Sequence, residues 1–376
     1  MKPPRTKDNR NWRERWISWR NRILADPGFQ RFAVRFPPTR GIVRSRARAM
    51  FDLVAGFTYS QTIAACVELG LLELLAAGPL PIDEIAARID LPIAGTDRLL
   101  RAAAALKLTE RLDETRWALG ADGAALRGNG GIVEMVAHHR LLYADLADPV
   151  ALLRRGGGGG ALSRYWAYAE QPGAGDSGEV DAYSRLMAAS QPFVAAQILD
   201  SYRFSRHRRM LDVGGGEGRF LESVGSQIAG LGLGLFDLPA VGARARLRLD
   251  AAGLGVRATI HGGNFLLDTL PTGYDLVTLV RVLHDHDDAP ALALLRGVHA
   301  ALPPGGTLLI AEPMAATRGA EPSGDAYFGL YLWAMGSGRP RTAAEIRAML
   351  RSAGFASSHI VSTAVPLTCR IIVASR

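Results

Sequence analysis

The chain has 376 residues. A single hydrophobic core usually stops growing near ~250–300 residues, so two or three folding units are expected. Hydrophobic residues make up 48% and charged residues 21%, which excludes wholesale disorder. No stretch approaches the about 20 apolar residues that a membrane-spanning helix needs. The two cysteines, Cys66 and Cys369, exclude a disulfide framework and a cysteine-based zinc site. With an N-terminal stretch that lacks the apolar core of a signal peptide, they point to a reducing cytoplasm.

The net charge of +8 is unevenly placed. The first fifty residues hold fourteen Lys/Arg against three Asp/Glu, and the remainder of the chain sums to −3. The alkaline character therefore belongs to a basic arm, drawn over residues 1–49. Within it Trp12, Trp16, Trp19 and Ile23 recur at i, i+4, i+7 and i+11, one face of a helix. Arg13, Arg15, Arg20 and Arg22 lie mostly opposite. An aromatic stripe backed by arginines suits a lipid headgroup region, so residues 1–40 are a candidate for peripheral contact with the inner membrane surface. The same pattern fits, slightly better, tryptophans packed on the protein or on a partner subunit. Nucleic acid is not expected as a partner. Pro37 and Pro38 end this stretch.

Residues 50–130 read as a winged-helix-like unit. Helical patterns run from Met50 to Gln61 and from Ala64 to Leu72. Pro81 opens another helix with Asp83 and Glu84 in its first turn, and Thr96-Asp97 caps a third. A hairpin is expected around Asp113-Glu114. The third helix shows only Arg98 and Arg101 to a DNA groove, and its Leu/Ala content suits burial, so a dimerisation or scaffold role is the better reading. Residues 131–205 are helical in tendency, interrupted by glycine-rich segments at 156–160 and 171–178 that read as flexible loops. His138, His139, Tyr143, Trp166 and Tyr168 are candidates for a substrate wall, though taken singly each reads better as an ordinary packed side chain.

From residue 206 the period changes to that of an α/β unit. Residues 210–213 form a short apolar strand, followed by Gly214-Gly215-Gly216-Glu217-Gly218 and a helix from about Arg219. Strand, glycine turn and helix make the nucleotide-cofactor geometry, because glycine permits the tight turn and lets a ligand approach the backbone. The spacing lacks the last interval of the dinucleotide fingerprint. A second strand ends at Asp237, 19 residues beyond Gly218, where an acid can bind both ribose hydroxyls of an adenosine. A third strand leads to Gly262-Gly263-Asn264-Phe265, a fourth spans 274–281, and a fifth ends at Glu312. Strands alternating with helices imply a parallel sheet with its site at the strand C-termini. Gly218, Asp237, Asn264, His284 and Glu312 all fall at such ends. His284 and His286 match no usual zinc spacing, and no metal site is expected. A general base fits His284 better, since an adjacent carboxylate can orient the imidazole and stabilise its charged form. His286 reads as a surface histidine.

Leu211-Asp212-Val213-Gly214-Gly215-Gly216-Glu217-Gly218, Phe236-Asp237-Leu238-Pro239, Leu283-His284-Asp285 and Leu302-Pro303-Pro304-Gly305-Gly306 with Glu312 resemble class I S-adenosylmethionine-dependent O-methyltransferases. The likeness covers about residues 50–376. It implies a Rossmann-like methyltransferase sheet over 206–376 and an N-terminal all-helical winged-helix-like dimerisation domain, hence a homodimer. Met50 to Gln61 and Tyr331 to Thr342 look most like the carotenoid branch, whose members act on hydroxyneurosporene or demethylspheroidene. The resemblance implies S-adenosyl-L-methionine as cofactor, with Asp212, Gly214, Gly216, Gly218, Asp237, Asn264, Phe265 and Arg281 around it. It implies His284 as the base, Glu312 fixing its ring, and an apolar carotenoid bearing a tertiary 1-hydroxyl as substrate. Two positions depart from the family: Asn264 replaces an adenine-side acid, and Pro340 stands where a second acid braces the base, so at most one of the two usual carboxylate braces is expected at His284. A soluble phenol or polyketide acceptor, or a winged-helix DNA-binding regulator, are the alternatives.

Overall fold

The computed structural model describes residues 9–170 and 191–376, so the loop expected at 171–178 lies outside the described residues. Three helices open the chain: α1 (Asn9–Ala25), α2 (Pro27–Arg35) and α3 (Pro37–Glu68). Asp26 caps α2 by accepting the Phe29 N–H at 2.6 Å. Pro37 and Pro38 end α2 but also begin the 32-residue α3, where a missing N–H costs nothing in the first turn. The arm boundary drawn at residue 49 therefore falls inside one continuous helix.

The next unit contains α4 (Leu71–Ala76), β1 (Leu80–Pro81), α5 (Ile82–Arg88), α6 (Ile93–Ala105), β2 (Thr109–Arg111), β3 (Arg116–Leu119) and α7 (Ala121–Arg127). The hairpin is present, and β1 joins it to make a small sheet of order β1-β3-β2, so this mainly helical unit is not wholly helical. Its core gathers Cys66, Leu71, Leu75, Ile85, Leu100 and Trp117. Helix α6 starts four residues before the expected cap. Thr96 is buried inside it, bonded to the Pro92 carbonyl at 3.1 Å, while Asp97 pairs with Arg101 at 2.7 Å. One of the two arginines that a DNA-reading helix would present is thus already engaged.

Helices α8 (Gly130–Asp145), α9 (Pro149–Arg154) and α10 (Ala161–Glu170) lead to the helical residues 191–201 (α11). The α/β unit follows as β4 (Arg209–Val213), α12 (Arg219–Gln227), β5 (Gly232–Asp237), α13 (Pro239–Ala251), β6 (Ala258–Gly262), β7 (Leu276–Val280), α14 (Asp288–Ala301), β8 (Thr307–Glu312), α15 (Gly329–Met335), α16 (Ala343–Ser352), β9 (Ser357–Val361) and β10 (Arg370–Ser375). The seven strands run in the order β6-β5-β4-β7-β8-β10-β9, with the first five parallel and β10 antiparallel to both neighbours. Successive strand residues point to opposite faces, and both faces are covered. Leu211 and Val277 pack with Leu294 and Ile346 on one side. Met210 and Leu276 pack with Ile198, Phe220 and Leu249 on the other.

The 156–160 segment is not the flexible loop its composition suggests. Gly156, Gly157, Gly158 and Gly159 take φ of 85°, 88°, 57° and 71°, and the Gly158 N–H donates to the Trp333 carbonyl at 2.9 Å. A Cβ at Gly157 would lie 2.5 Å from that carbonyl oxygen, whereas one at Gly156 meets open space. The run fastens the α9–α10 connection onto α15. Gly156→Ala should therefore cost only the left-handed backbone term, about 1 kcal/mol, and Gly157→Ala about 1–2 kcal/mol more, read as urea-unfolding midpoints. Equal losses at the two positions would contradict the clasp.

Candidate active site

Strands β4 and β7 are neighbours, yet the chain crosses over in opposite senses from them. Their C-terminal ends therefore flank the crevice where open α/β sheets bind ligands. The strand register brings the expected residues to this edge: Val213 pairs with Phe236, Asp237 with Gly262, and Val280 with Ala311.

On the β4 side, Gly214, Gly216 and Gly218 adopt φ of 68°, 58° and 77°, which only glycine takes without strain. A Cβ at Gly214 would stand 2.9 Å from Val282 and 3.6 Å from Phe265, while Gly216 faces open space. Asp237 ties the turn to β5, accepting the Gly216 N–H at 2.8 Å on one oxygen and the Leu238 N–H at 2.7 Å on the other. Asp212 is buried in β4. One of its oxygens accepts the Thr278 hydroxyl at 2.6 Å and the other has no partner. Burial, against the Thr278 bond and reinforced by Asp237, pushes its pKa up to about 7. Asn264 spends its side-chain oxygen on the Leu266 N–H (2.9 Å), closing its own loop, and Phe265 meets His286 edge-on with ring centroids 5.4 Å apart.

On the β7 side, a tight turn at Leu283–Asp285 carries His284, which is buried. Glu312, wholly buried at the end of β8, holds it twice. One carboxylate oxygen accepts the His284 backbone N–H at 3.1 Å and lies 3.3 Å from ring Nδ1. The other Glu312 oxygen is buried without a partner. Asp285 Oδ1 stands 3.2 Å from Nε2, so the ring has carboxylates at both nitrogens. The expectation of a single carboxylate brace, drawn from Pro340, is thereby corrected: the second acid is the adjacent residue. Burial disfavours the imidazolium, but Asp285 and Glu312 together outweigh it and hold the His284 pKa above its ordinary value. Arg281 ends β7 at φ 59°, its N–H bonded to the Ala311 carbonyl at 2.8 Å. Its charge bears on His284, Asp285 and Tyr327, which puts it on the His284 side of the crevice.

The acceptor side is aromatic. The Phe328 ring packs edge-on against His284 at 5.8 Å and touches Tyr327 and Tyr331. His138 Nε2 lies 2.7 Å from the Tyr331 hydroxyl, and His139 Nε2 lies 2.7 Å from that of Tyr327. Burial, and for His138 the neighbouring His139, lowers both histidine pKa values, His138 to about 4. His139 also meets Tyr143, whereas the side chains of Trp166 and Tyr168 lie outside the described residues. Sequence reasoning missed Thr278, Tyr327, Phe328 and Tyr331, whose partners are 44 to 193 residues away. Among the described residues no group of three or more His, Cys, Asp and Glu is arranged to hold a metal ion.

Comparison with known proteins places this geometry in a family. The O-methyltransferase domain matches residues 143–356, and the O-methyltransferase dimerisation domain matches residues 51–125. Demethylspheroidene O-methyltransferase of Cereibacter sphaeroides is 42% identical over 94% of this chain and 94% of its own. The protein of the same name from Rhodobacter capsulatus is 40% identical over 96% of this chain and 90% of its own. Among solved structures, the S-adenosylmethionine-dependent methyltransferase SibL in its apo form has a TM-score of 0.73 at 26% identity, covering 87% of this chain and 98% of its own. Human N-acetylserotonin methyltransferase in complex with S-adenosylmethionine, 23% identical, shares the fold with a TM-score of 0.72 over 88% of this chain and 97% of its own. The chain belongs to the O-methyltransferase family, with that family's dimerisation domain at its N-terminal side, and is an S-adenosylmethionine-dependent enzyme.

Proposed function

We propose that this enzyme methylates the tertiary 1-hydroxyl of an acyclic carotenoid of the demethylspheroidene or hydroxyneurosporene type, with His284 as base. The likeness to two demethylspheroidene O-methyltransferases over almost the whole chain carries the reading. The aromatic wall supports it, because the Tyr331 and Tyr327 hydroxyls pair with Nε2 of His138 and His139, which leaves fewer polar atoms for an apolar guest to meet.

The crevice fits the cationic cofactor. Asp212, Asp237, Asp285 and Glu312 set four carboxylates against Arg281, and the turn is open at Gly216. The bare Asp212 oxygen is costly without a positive partner. Gly214, Gly216 and Gly218 would cradle the methionine part and Asp237 the ribose hydroxyls, each carboxylate oxygen keeping a lone pair beyond its backbone bond. Asn264 and Phe265 would flank the adenine, with Arg281 at the far rim. When bound, S-adenosylmethionine supplies a methyl group already activated by its sulfonium.

The protein then has to align the acceptor oxygen, exclude water and take one proton. Phe328 and the burial of His284 exclude water. Glu312 keeps the imidazole oriented, and His284 receives the proton. A tertiary alcohol is far too weak an acid for full prior deprotonation by imidazole, so proton removal accompanies or follows O–C bond formation.

The dimerisation domain supports a homodimer. Met50, Phe51, Leu53, Val54 and Phe57 form an exposed apolar stripe on α3 within that domain's reach, and a second copy would cover it. No helix among the described residues is long and apolar enough to cross a membrane. We assign the arm instead to peripheral contact with anionic lipid: Trp12, Trp16 and Trp19 are at least half exposed, as are Phe32 and Val34 on α2, and arginines surround them.

Incubation with detergent-dispersed 1-hydroxycarotenoid and methyl-labelled S-adenosylmethionine should place label in a methoxy-carotenoid. Label appearing only in a phenol or polyketide acceptor would contradict the substrate assignment. In the same assay His284→Gln should lower kcat by less than about 10²-fold, below the usual range for general acid–base catalysis. A loss of about 10³-fold or more would contradict late proton removal. Full-length protein should float with anionic liposomes, and a variant lacking residues 1–40 should not; equal partitioning sinks the lipid assignment.

A further inference from the structure

Residues 337–342 form a strap that packs on the turn carrying His284. Arg341, with no exposed surface at all, is its centre. Its Nη1 donates to the Leu283 carbonyl at 2.8 Å and its Nη2 to the His286 carbonyl at 2.7 Å, the two residues that bracket His284 and Asp285. Nε and Nη2 also reach Asp288 Oδ1, at 3.0 and 2.8 Å. The Ser337 hydroxyl donates to the Asp285 carbonyl at 3.0 Å, and the Gly338 N–H to Asp287 Oδ1 at 3.0 Å. Gly338, at φ 78°, lies so close that a Cβ there would stand 2.2 Å from the His284 carbonyl oxygen.

The other end of the strap is tied to β8. The Arg341 carbonyl accepts the Ala315 N–H at 3.0 Å, three residues beyond Glu312. Thr342 and Glu345 close a capping box on α16. Pro340 restricts Arg339 to extended backbone, and both flanking arginines meet at Asp288, Arg339 at 3.1 Å. Arg341 thus bridges the turn that carries His284 and the segment that leaves Glu312.

We propose that Arg341 is a positioning residue for His284, clamping the carbonyls on either side of it and so fixing through the main chain a ring that lacks an acid at position 340. The proposal rests on His284 being the base. Arginine is required rather than lysine, because its planar fork spreads the donors over Nε, Nη1 and Nη2 and so spans both carbonyls and Asp288, whereas the three donors of lysine radiate from a single nitrogen.

The charged groups facing His284 are Asp285 beside it, Glu312 from β8 and Arg281 at the end of β7, while Phe328 covers a ring edge. If the turn loosens, the two carboxylates act on the ring more weakly while burial persists, so the His284 midpoint moves down. The test is titration of ¹⁵N-histidine-labelled full-length protein by NMR, with His284→Gln assigning the signal, alongside kcat against pH.

For Arg341→Lys the expected results are a lowered His284 midpoint and an acid limb of kcat that moves with it. The expected loss in kcat is about 3–10-fold, smaller than that of His284→Gln, with KM for S-adenosylmethionine unchanged. A folded Arg341→Lys with unaltered midpoint and kcat overturns the proposal. Should Arg341→Lys fail to fold, Ser337→Ala removes one carbonyl tie and must shift the midpoint in the same direction; no shift overturns it. If His284→Gln keeps full rate, the base assignment falls, and the Arg341→Lys titration still decides whether the strap positions the ring.

Discussion

One wholly buried carboxylate organises this active site. Glu312 ends β8 and accepts from both the backbone N–H and the ring of His284, which sits on the turn after β7. A side chain reaching across two adjacent parallel strands can do this only if their register is fixed, and Val280 opposite Ala311 fixes it. The sheet thus sets the geometry of His284, the proposed base, and the apolar layers on both faces keep the sheet rigid. A buried anion without a charged or hydrogen-bonding partner would be prohibitively costly, so the pair also stabilises itself.

The electrostatics of the crevice divide along the same line. On the β4 side Asp212 and Asp237 stand beside the glycine turn; Arg244 bears on Asp237, while the second Asp212 oxygen has no partner and leaves room for a cation. On the β7 side Arg281, Asp285, His284 and Glu312 form a balanced cluster beneath an aromatic wall. The two His–Tyr bonds that join α8 to the 322–335 segment tie up the polar atoms of that wall. The methyl donor's positive centre and the proposed apolar acceptor would thus meet surfaces of opposite character, with His284 between them.

Much of this was legible in the sequence. Parallel strands buried on both faces read as short apolar runs, and the chemistry-bearing residues after them had to share one edge. Asp237, His284 and Glu312 were found in that way. What the sequence hid depends on distant contacts. Arg341 reads as one surface arginine among many until its partners 53 to 58 residues earlier are known. A carboxylate adjacent to His284 is legible in the sequence, but that Asp285 reaches Nε2 follows only from the fold of the turn. The glycine run at 156–160 reads as flexible by composition, and only its contact with Trp333 shows that left-handed backbone is required. Strands β9 and β10 went unread: β9 is mostly exposed and lacks an apolar face.

The dependence of methyl transfer on pH in Glu312→Gln tests the central pairing most directly. With His284 as the proposed base, activity requires neutral imidazole and falls as pH drops through the His284 midpoint, which the carboxylates hold above the ordinary value. Removing the Glu312 charge while keeping its shape should move that acid limb to lower pH and reduce the plateau kcat. An acid limb and plateau identical to the unaltered enzyme would mean that Glu312 does not govern His284, and the account of this site would fail.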